Sequence, residues 1–388
     1  GLQQGRINLY VEATRVYNFN MQYNTVRSTQ ATPGGTGFLA GNTGVYIATN
    51  RFAFYIRNNE FTNLRFPINI PINSNTYNTG SGTQTGIYAN NLGILYNYFG
   101  PQTSTATAQG NNYIGDAITI SSPMSVTWNK QANTGISVTN NTIDRVYRGV
   151  AISGIDSYST TVKENTVSVV NDVLFAASQH GFNITNTTNN IVVTTNTLSA
   201  TNSTNTAITL VYAGSNYGTA NSPSITCNYL TNGYKGFDFV GSNSVTVWKG
   251  NQMQGQVRGM SLTSAGRIGT QGGSGAPSGN VWNGSWTGSN NGTFVDAASN
   301  ASLSLLYVTS YPPNPGGTSL NSYLTTSNTP ITSGAFSCSG GGGGGGGDGR
   351  YTNNPKSSFS NNSFNNSSST SKMGETENYA SEDLKYIA

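Results

Sequence analysis

Asparagine recurs in one fixed setting along this chain, at Asn59, Asn97, Asn141, Asn165, Asn196, Asn228 and Asn251. Three residues before each stands an apolar residue: Ile56, Ile94, Val138, Val162, Val193, Ile225 and Trp248. Two residues after each stands another: Phe61, Phe99, Ile143, Val167, Leu198, Leu230 and Met253. All of these flanks are apolar in a chain that is only 35% hydrophobic. Asn24, between Met21 and Val26, reads as an earlier copy. Eight residues past the anchor come Pro67, Gly149, Gly236 and Gly259, followed by strands of period two such as Val150-Ala-Ile152 and Phe237-Asp-Phe239. The copy at Asn165 keeps a strand at Leu174-Phe-Ala176 without the glycine, and the copy at Asn196 slips to Ala207–Leu210.

Short strands of this kind cannot bury an apolar face alone, but stacked copies can. The register therefore predicts an all-β, right-handed parallel β-helix, a solenoid whose aliphatic columns pile up at about 4.8 Å per coil. A dozen or so coils over residues 1–275 would give a rod of roughly 50–60 Å. Asparagine suits the anchor for two reasons: it tolerates the left-handed conformation of a tight corner, and its amides can bond along the stack. The long interval from Asn97 to Asn141 implies either an extruded loop or a coil anchored by another residue. A β-sandwich would show hairpin turn signals, which are few, and would give the asparagine register no role. Disorder fits the Ser/Asn/Thr content but not the ordered aliphatic columns.

The domain reading is a β-helix over 1–279, terminal coils and cap over 280–339, and a low-complexity linker or tail over 340–388. Trp282 and Trp286 read as filler of the cap. Gly340 to Gly347 is an unbroken glycine run, followed by Ser/Asn-rich sequence. Acidic residues then gather after Glu375, with a helix start at Ser381. Gly1 falls in the middle of a repeat, which suggests a mature or truncated product.

Only 8% of residues are charged, and the net charge of +4 is scattered. A polyanion-binding surface concentrates its cations, so nucleic acid is not an expected partner. No apolar run is long enough to span a bilayer. Cys227 and Cys338 are too few for a metal site. Their distance and unlike contexts argue against a disulfide, and Cys227 reads as a buried thiol.

The segments Val138-Thr-Asn-Asn141-Thr-Ile143 through Gly149-Val-Ala-Ile152, and Ile225-Thr-Cys-Asn228-Tyr-Leu230 through Gly236-Phe-Asp-Phe239, resemble the repeats of the pectate-lyase-like superfamily. The resemblance covers roughly residues 1–275. It implies the fold but not an activity, because the superfamily holds lyases, hydrolases, epimerases, tailspikes, adhesins and structural proteins. The stretch from Asn280-Val-Trp-Asn-Gly through Phe336-Ser-Cys338-Ser and polyglycine is also similar to large secreted β-helix proteins of Bacteroidota. That similarity implies export by the type IX system and a place at the outer cell surface.

Chemistry is thinly represented. Before the tail the acids are Glu12, Glu60, Asp116, Asp144, Asp156, Glu164, Asp172, Asp238 and Asp296, with no adjacent pair. The polygalacturonase pattern of Asn-x-Asp, Asp-Asp, Gly-His-Gly and Arg-x-Lys is missing. The single histidine, His180, reads as a surface residue in a turn. The densest cluster is Asp144, Arg145, Tyr147 and Arg148, with Lys163 and Glu164 on the next coil. It reads as a solvated ion-pair group, although neighbouring coils could join Asp144, Arg148 and Lys163. Outward tyrosines are candidates for stacking on sugars. The balance favours a non-catalytic secreted or surface module, structural or adhesive, without catalytic residues, metal or cofactor. Its partners would be surface polysaccharide or secretion-system proteins. The alternative is a polysaccharide-binding or polysaccharide-degrading enzyme working on one face.

Overall fold

In a computed structural model the chain is an all-β parallel solenoid. The structure describes residues 7–12, 18–27, 43–49, 53–62, 64–71, 76–78, 83–85, 91–100, 114–121, 135–153, 159–170, 178–185, 191–201, 206–214, 223–286, 289–296, 304–313, 316–317, 324–326, 331 and 334–338. The described residues all fall in one compact unit, within residues 1–349. The glycine run, the Ser381 helix start, Leu174–Ala176 and Asp172 lie outside the described residues.

Each coil follows one path. A strand ending two residues before the anchor joins an eight-stranded sheet: Asn18–Gln22, Ala53–Arg57, Asn91–Leu95, Gly135–Thr139, Ser159–Lys163, Ile191–Thr194, Ser224–Thr226 and Val247–Lys249. The chain then turns a corner, passes the anchor and enters a larger sheet, first through a short post-anchor strand and then through a return strand. Return strands include Ile114–Ser121, Gln179–Thr185, Ile208–Ala213, Lys235–Ser242 and Arg258–Arg267. In one coil the two are continuous, as Thr142–Ser153. The pairings between coils are parallel, and the register carries like onto like: Ile56 on Ile94 on Val138 on Val162 on Val193 on Ile225 on Trp248. These residues are buried, and one hydrophobic core runs from Met21 to Val308. Trp248 closes its column edge-on to Phe237, Phe239 and Trp282. Trp282 and Trp286 are buried, their indole N–H groups donating to the carbonyls of Gly292 and Asn283.

The anchors form a hydrogen-bonded ladder. Asn165 is typical. Its side-chain oxygen accepts from the backbone N–H and Nδ2 of Asn141, at 3.0 Å each. Its own Nδ2 donates to the carbonyl of Val138 and to Asn196 Oδ1. The same bonds join Asn24, Asn59, Asn97, Asn141, Asn165, Asn196, Asn228, Asn251 and Asn280 in unbroken succession. Asn97 bonds directly to Asn141, so those anchors lie on adjacent coils and the long interval hides no further coil. The expectation of a dozen coils was therefore too high.

The corner differs from its sequence reading. The left-handed conformation falls on the residue before each anchor, not on the anchor: Tyr23, Asn58, Tyr96, Asn140, Glu164, Thr195 and Cys227 have φ of 53–58°, and Gly250 and Gly279 have 67°. The anchor is selected by its amide, which must bond to both neighbouring coils. The left-handed residue before it costs about 1–2 kcal/mol when it carries a Cβ, and asparagine bears that more readily than tyrosine.

The glycines after the anchor also have a different cause. Neither Gly149 nor Gly236 has a positive φ. A Cβ on Gly149 would strike the carbonyl oxygen of Gly181, and one on Gly236 would lie 2.5 Å from that of Gly259. Gly181 and Gly259 are crowded likewise by the carbonyls of Leu210 and Gly292, at 2.6 and 2.7 Å. This column lets consecutive backbones close up where the post-anchor strand bends into the return strand. Gly149→Ala should cost about 1–3 kcal/mol by overpacking, measured by denaturant unfolding, whereas Gly273→Ala, with open space around the added carbon, should change little.

Cys227 and Cys338 form a disulfide, with Cα atoms 5.7 Å apart, which corrects the reading of a buried thiol. Sequence separation misled because 111 residues of solenoid return close to their starting corner. The segment holding Cys338 lies across the corners of the last coils. Phe336 N–H donates to the carbonyl of Pro277, and Lys249 Nζ sits 6.0 Å from the Phe336 ring. A Cβ on Gly250 would meet Cys338 Sγ at 2.7 Å, and one on Gly279 would strike the Phe336 carbonyl. The corner column becomes cysteine, glycine, glycine where this segment is seated.

Candidate functional site

The outward face of the return strands carries a run of titratable groups on neighbouring coils. Inward positions are apolar: Val150, Phe182, Val211, Phe237 and Met260 stack in register. Beside them runs a polar column in which Asp116 pairs with Arg148, Arg148 with His180, His180 with Thr209, Thr209 with Lys235, and Lys235 with Arg258. On its other flank the register runs from Asn183 through Tyr212 and Asp238 to Ser261.

Two ion pairs hold the column. Arg148 Nε donates to Asp116 Oδ1 at 2.7 Å, and Lys235 Nζ donates to Asp238 Oδ2. Asp238 is buried, and its second oxygen accepts from Thr263 Oγ1 at 2.7 Å. His180 lies between the pairs, stacked on Tyr212 with ring centroids 4.9 Å apart. It is only 7% exposed, which corrects its reading as a surface residue in a turn: the return strand begins at Gln179 and carries the imidazole into the column. His180 Nδ1, Asn183 Oδ1 and Ser261 Oγ are buried without hydrogen-bond partners. Such groups carry a desolvation cost of about 1–3 kcal/mol each.

Burial lowers the His180 pKa to about 4, and the nearby charges of Arg148 and Lys235 push the same way. Burial raises the Asp116 carboxyl, against the opposing pull of Arg148 and its hydrogen bond. Burial also raises Tyr212, reinforced by Asp238. The imidazole is therefore neutral at pH 7. Between about 4 and 6.5 the unfolded chain binds a proton at His180 that the folded chain refuses. Stability from this residue should be complete above pH 6.5 and fall by up to about 3 kcal/mol as pH drops towards 4. Asp116 acts oppositely, losing stability as pH rises above 3.8. Urea unfolding of His180→Gln beside the parent at about pH 4.5 and about pH 7 isolates the histidine, and the variant should show the flatter pH dependence.

The face lacks the spacing of a two-carboxylate hydrolase. Asp116 and Asp238 are separated by four strand steps, roughly 19 Å, whereas paired glycosidase carboxyls lie about 5–10 Å apart. Both are also held by cations. Among the described residues no group of three or more His, Cys, Asp or Glu side chains could hold a metal ion.

The cluster singled out in the sequence separates into local pairs. Asp144 faces Arg145 at 3.6 Å, and Lys163 faces Glu164 at 3.0 Å. Arg148 turns to Asp116 instead of joining Asp144 and Lys163, because it lies on the return stretch of its strand beside Ile114–Ser121. Exposed pairs of this kind contribute about 0–1 kcal/mol. The spacing of His180 from its anchor could not place it in the column, since the coil at Asn165 reaches its return strand later than those at Asn141, Asn196, Asn228 and Asn251 do.

No family model, no curated protein and no solved structure matches this chain. Among the described residues no helix is long and apolar enough to cross a membrane.

Proposed function

We propose that this chain is a non-catalytic, secreted or cell-surface β-solenoid that serves as a rigid structural or adhesive module. The observation that carries this reading is the Cys227–Cys338 disulfide, since such bonds form and persist in oxidising compartments outside the cytoplasm. The polar face supports the non-catalytic part, because both of its carboxylates are engaged by cations and stand too far apart to act together. The low charge and the polyglycine run suit a displayed rod on a linker. Export by the type IX route in a member of the Bacteroidota, with surface polysaccharide or secretion-system proteins as partners, completes the proposal. Its test is protease shaving and surface labelling of intact source cells, with a free-thiol assay on the recovered chain. Surface recovery with both cysteines oxidised is expected. A chain protected inside the cell with both thiols free would refute the reading.

One observation favours the second reading, a polysaccharide-binding or polysaccharide-degrading protein. His180 is a buried neutral imidazole with an unpartnered nitrogen between two cations, an arrangement suited to holding a polar ligand. Incubation with a polysaccharide panel separates the two. Release of shortened or unsaturated sugars, abolished by His180→Ala or Asp238→Asn, would establish catalysis and overturn the first reading. Asp144→Asn, a carboxylate paired with Arg145 away from this column, is the matching control.

A further inference from the structure

The geometry points to a second surface, the corner ridge of the first coils, as a binding site for a neutral glycan running along the solenoid axis. The ridge is built from consecutive left-handed corners. Tyr23 N–H donates to the carbonyl of Asn58, Asn58 N–H to that of Leu95, and Tyr96 N–H to that of Thr139, each at 3.1 Å. The side chains therefore project from neighbouring coils in the order Tyr23, Asn58, Tyr96, Asn140. The two tyrosines are two strand spacings apart, roughly 9–10 Å.

These tyrosines answer to no packing need. Tyr23 is 68% exposed and Tyr96 48%, and both are held at φ near 58°. Asparagine fills the same corner at Asn58 and Asn140, and among residues with a side chain it is one that bears a left-handed backbone most readily. Bulky aromatics in a strained conformation, pointing into water, mark a surface kept for contact. A third ring extends the platform. Tyr55 faces outward on the adjoining sheet and lies over Gly93 of the next coil, where an added Cβ would come within 2.7 Å of its ring.

The surrounding chemistry selects the ligand. Before the corner the neighbouring register positions are Asn20, Gln22, Arg57 and Leu95, with Arg57 Nε donating to Gln22 Oε1 at 3.1 Å, and after it they are Thr25, Glu60 and Tyr98. Without a cluster of either sign, the patch offers little to a polyanion or a polycation. Aromatic faces with intervening amides match the apolar faces and hydroxyls of neutral sugars. This inference supplies the ligand class for the adhesive reading above and rests on that reading.

The test is calorimetric titration of the intact chain with neutral oligosaccharides of the cello, xylo, manno and malto series, with polygalacturonate as the charged control. The parent should bind at least one neutral series. Tyr23→Asn with Tyr96→Asn should weaken that binding by about tenfold or more, while Tyr23→Phe with Tyr96→Phe should retain it. The asparagine variant substitutes the residue used on neighbouring coils, and an unchanged or raised thermal midpoint would show that it folds. No binding to any neutral series, or binding equal in the asparagine variant, overturns the proposal. So does binding of polygalacturonate alone, or self-association of the parent that the asparagine variant abolishes. A ridge that fails beside surface recovery of the chain refutes only this site. An intracellular, reduced chain refutes the adhesive reading itself, whatever the titration shows.

Discussion

Asn165→Ala is expected to destabilise the solenoid by about 3–5 kcal/mol, a large effect for one substitution. The substitution removes only a small polar group, but that group serves three coils. Asn141 loses the acceptor for its backbone N–H and its Nδ2, while Val138 and Asn196 each lose a donor. All these groups are buried, so water cannot replace the lost partner without opening the stack. Asn165→Asp should be at least as damaging, because it keeps the acceptor but loses both donors and adds a buried charge. Asn24→Ala is the internal control. Asn24 is exposed, stands at the first described rung and should cost under about 1 kcal/mol. Urea midpoints for the three variants, with far-UV circular dichroism to verify the fold, decide the matter. Equal loss at Asn165 and Asn24 would mean that the ladder adds nothing beyond an ordinary turn.

Reduction of the Cys227–Cys338 bond, or Cys338→Ser, should lower the stability of the terminal coils by about 2–5 kcal/mol. The closed loop of 111 residues is long, so its constraint on the unfolded chain is near the upper end of that range. The loss should be local. A solenoid coil contacts mainly its neighbours, so coils ahead of Cys227 should retain their stability while those after it open first. Limited proteolysis with and without reductant reads this directly: new cleavage is expected near Phe336 and within residues 228–338, before any in the earlier coils. Identical proteolysis in both conditions would show that the packing of Phe336 over Gly250 and Gly279 suffices without the covalent bond.

How much of this was legible in the sequence can be followed residue by residue. The inward aliphatics on either side of each anchor were readable because a strand alternates its faces with a fixed period, and stacking repeats that alternation coil after coil. The rung at Asn24 was legible on the same grounds. The continuation to Asn280 was obscured by the loss of an aliphatic three residues before it, where Pro277 stands. His180 was misplaced because the span between anchor and return strand varies, and its burial depends on Tyr212 and Lys235 from later coils.

What the sequence by itself determined was therefore the one-dimensional part of the protein: an all-β stack, its inward columns and the asparagine that recurs at each corner. Tertiary structure alone decided the rest. It assigned the left-handed backbone to the residue before the anchor, gave the glycines that open the return strands their purpose as gaps for a neighbouring carbonyl, and joined Cys227 to Cys338. The reason is common to all three. A repeat records which residues face inward within a coil, but contacts between coils depend on how the intervening loops return the chain, and loop length carries no register.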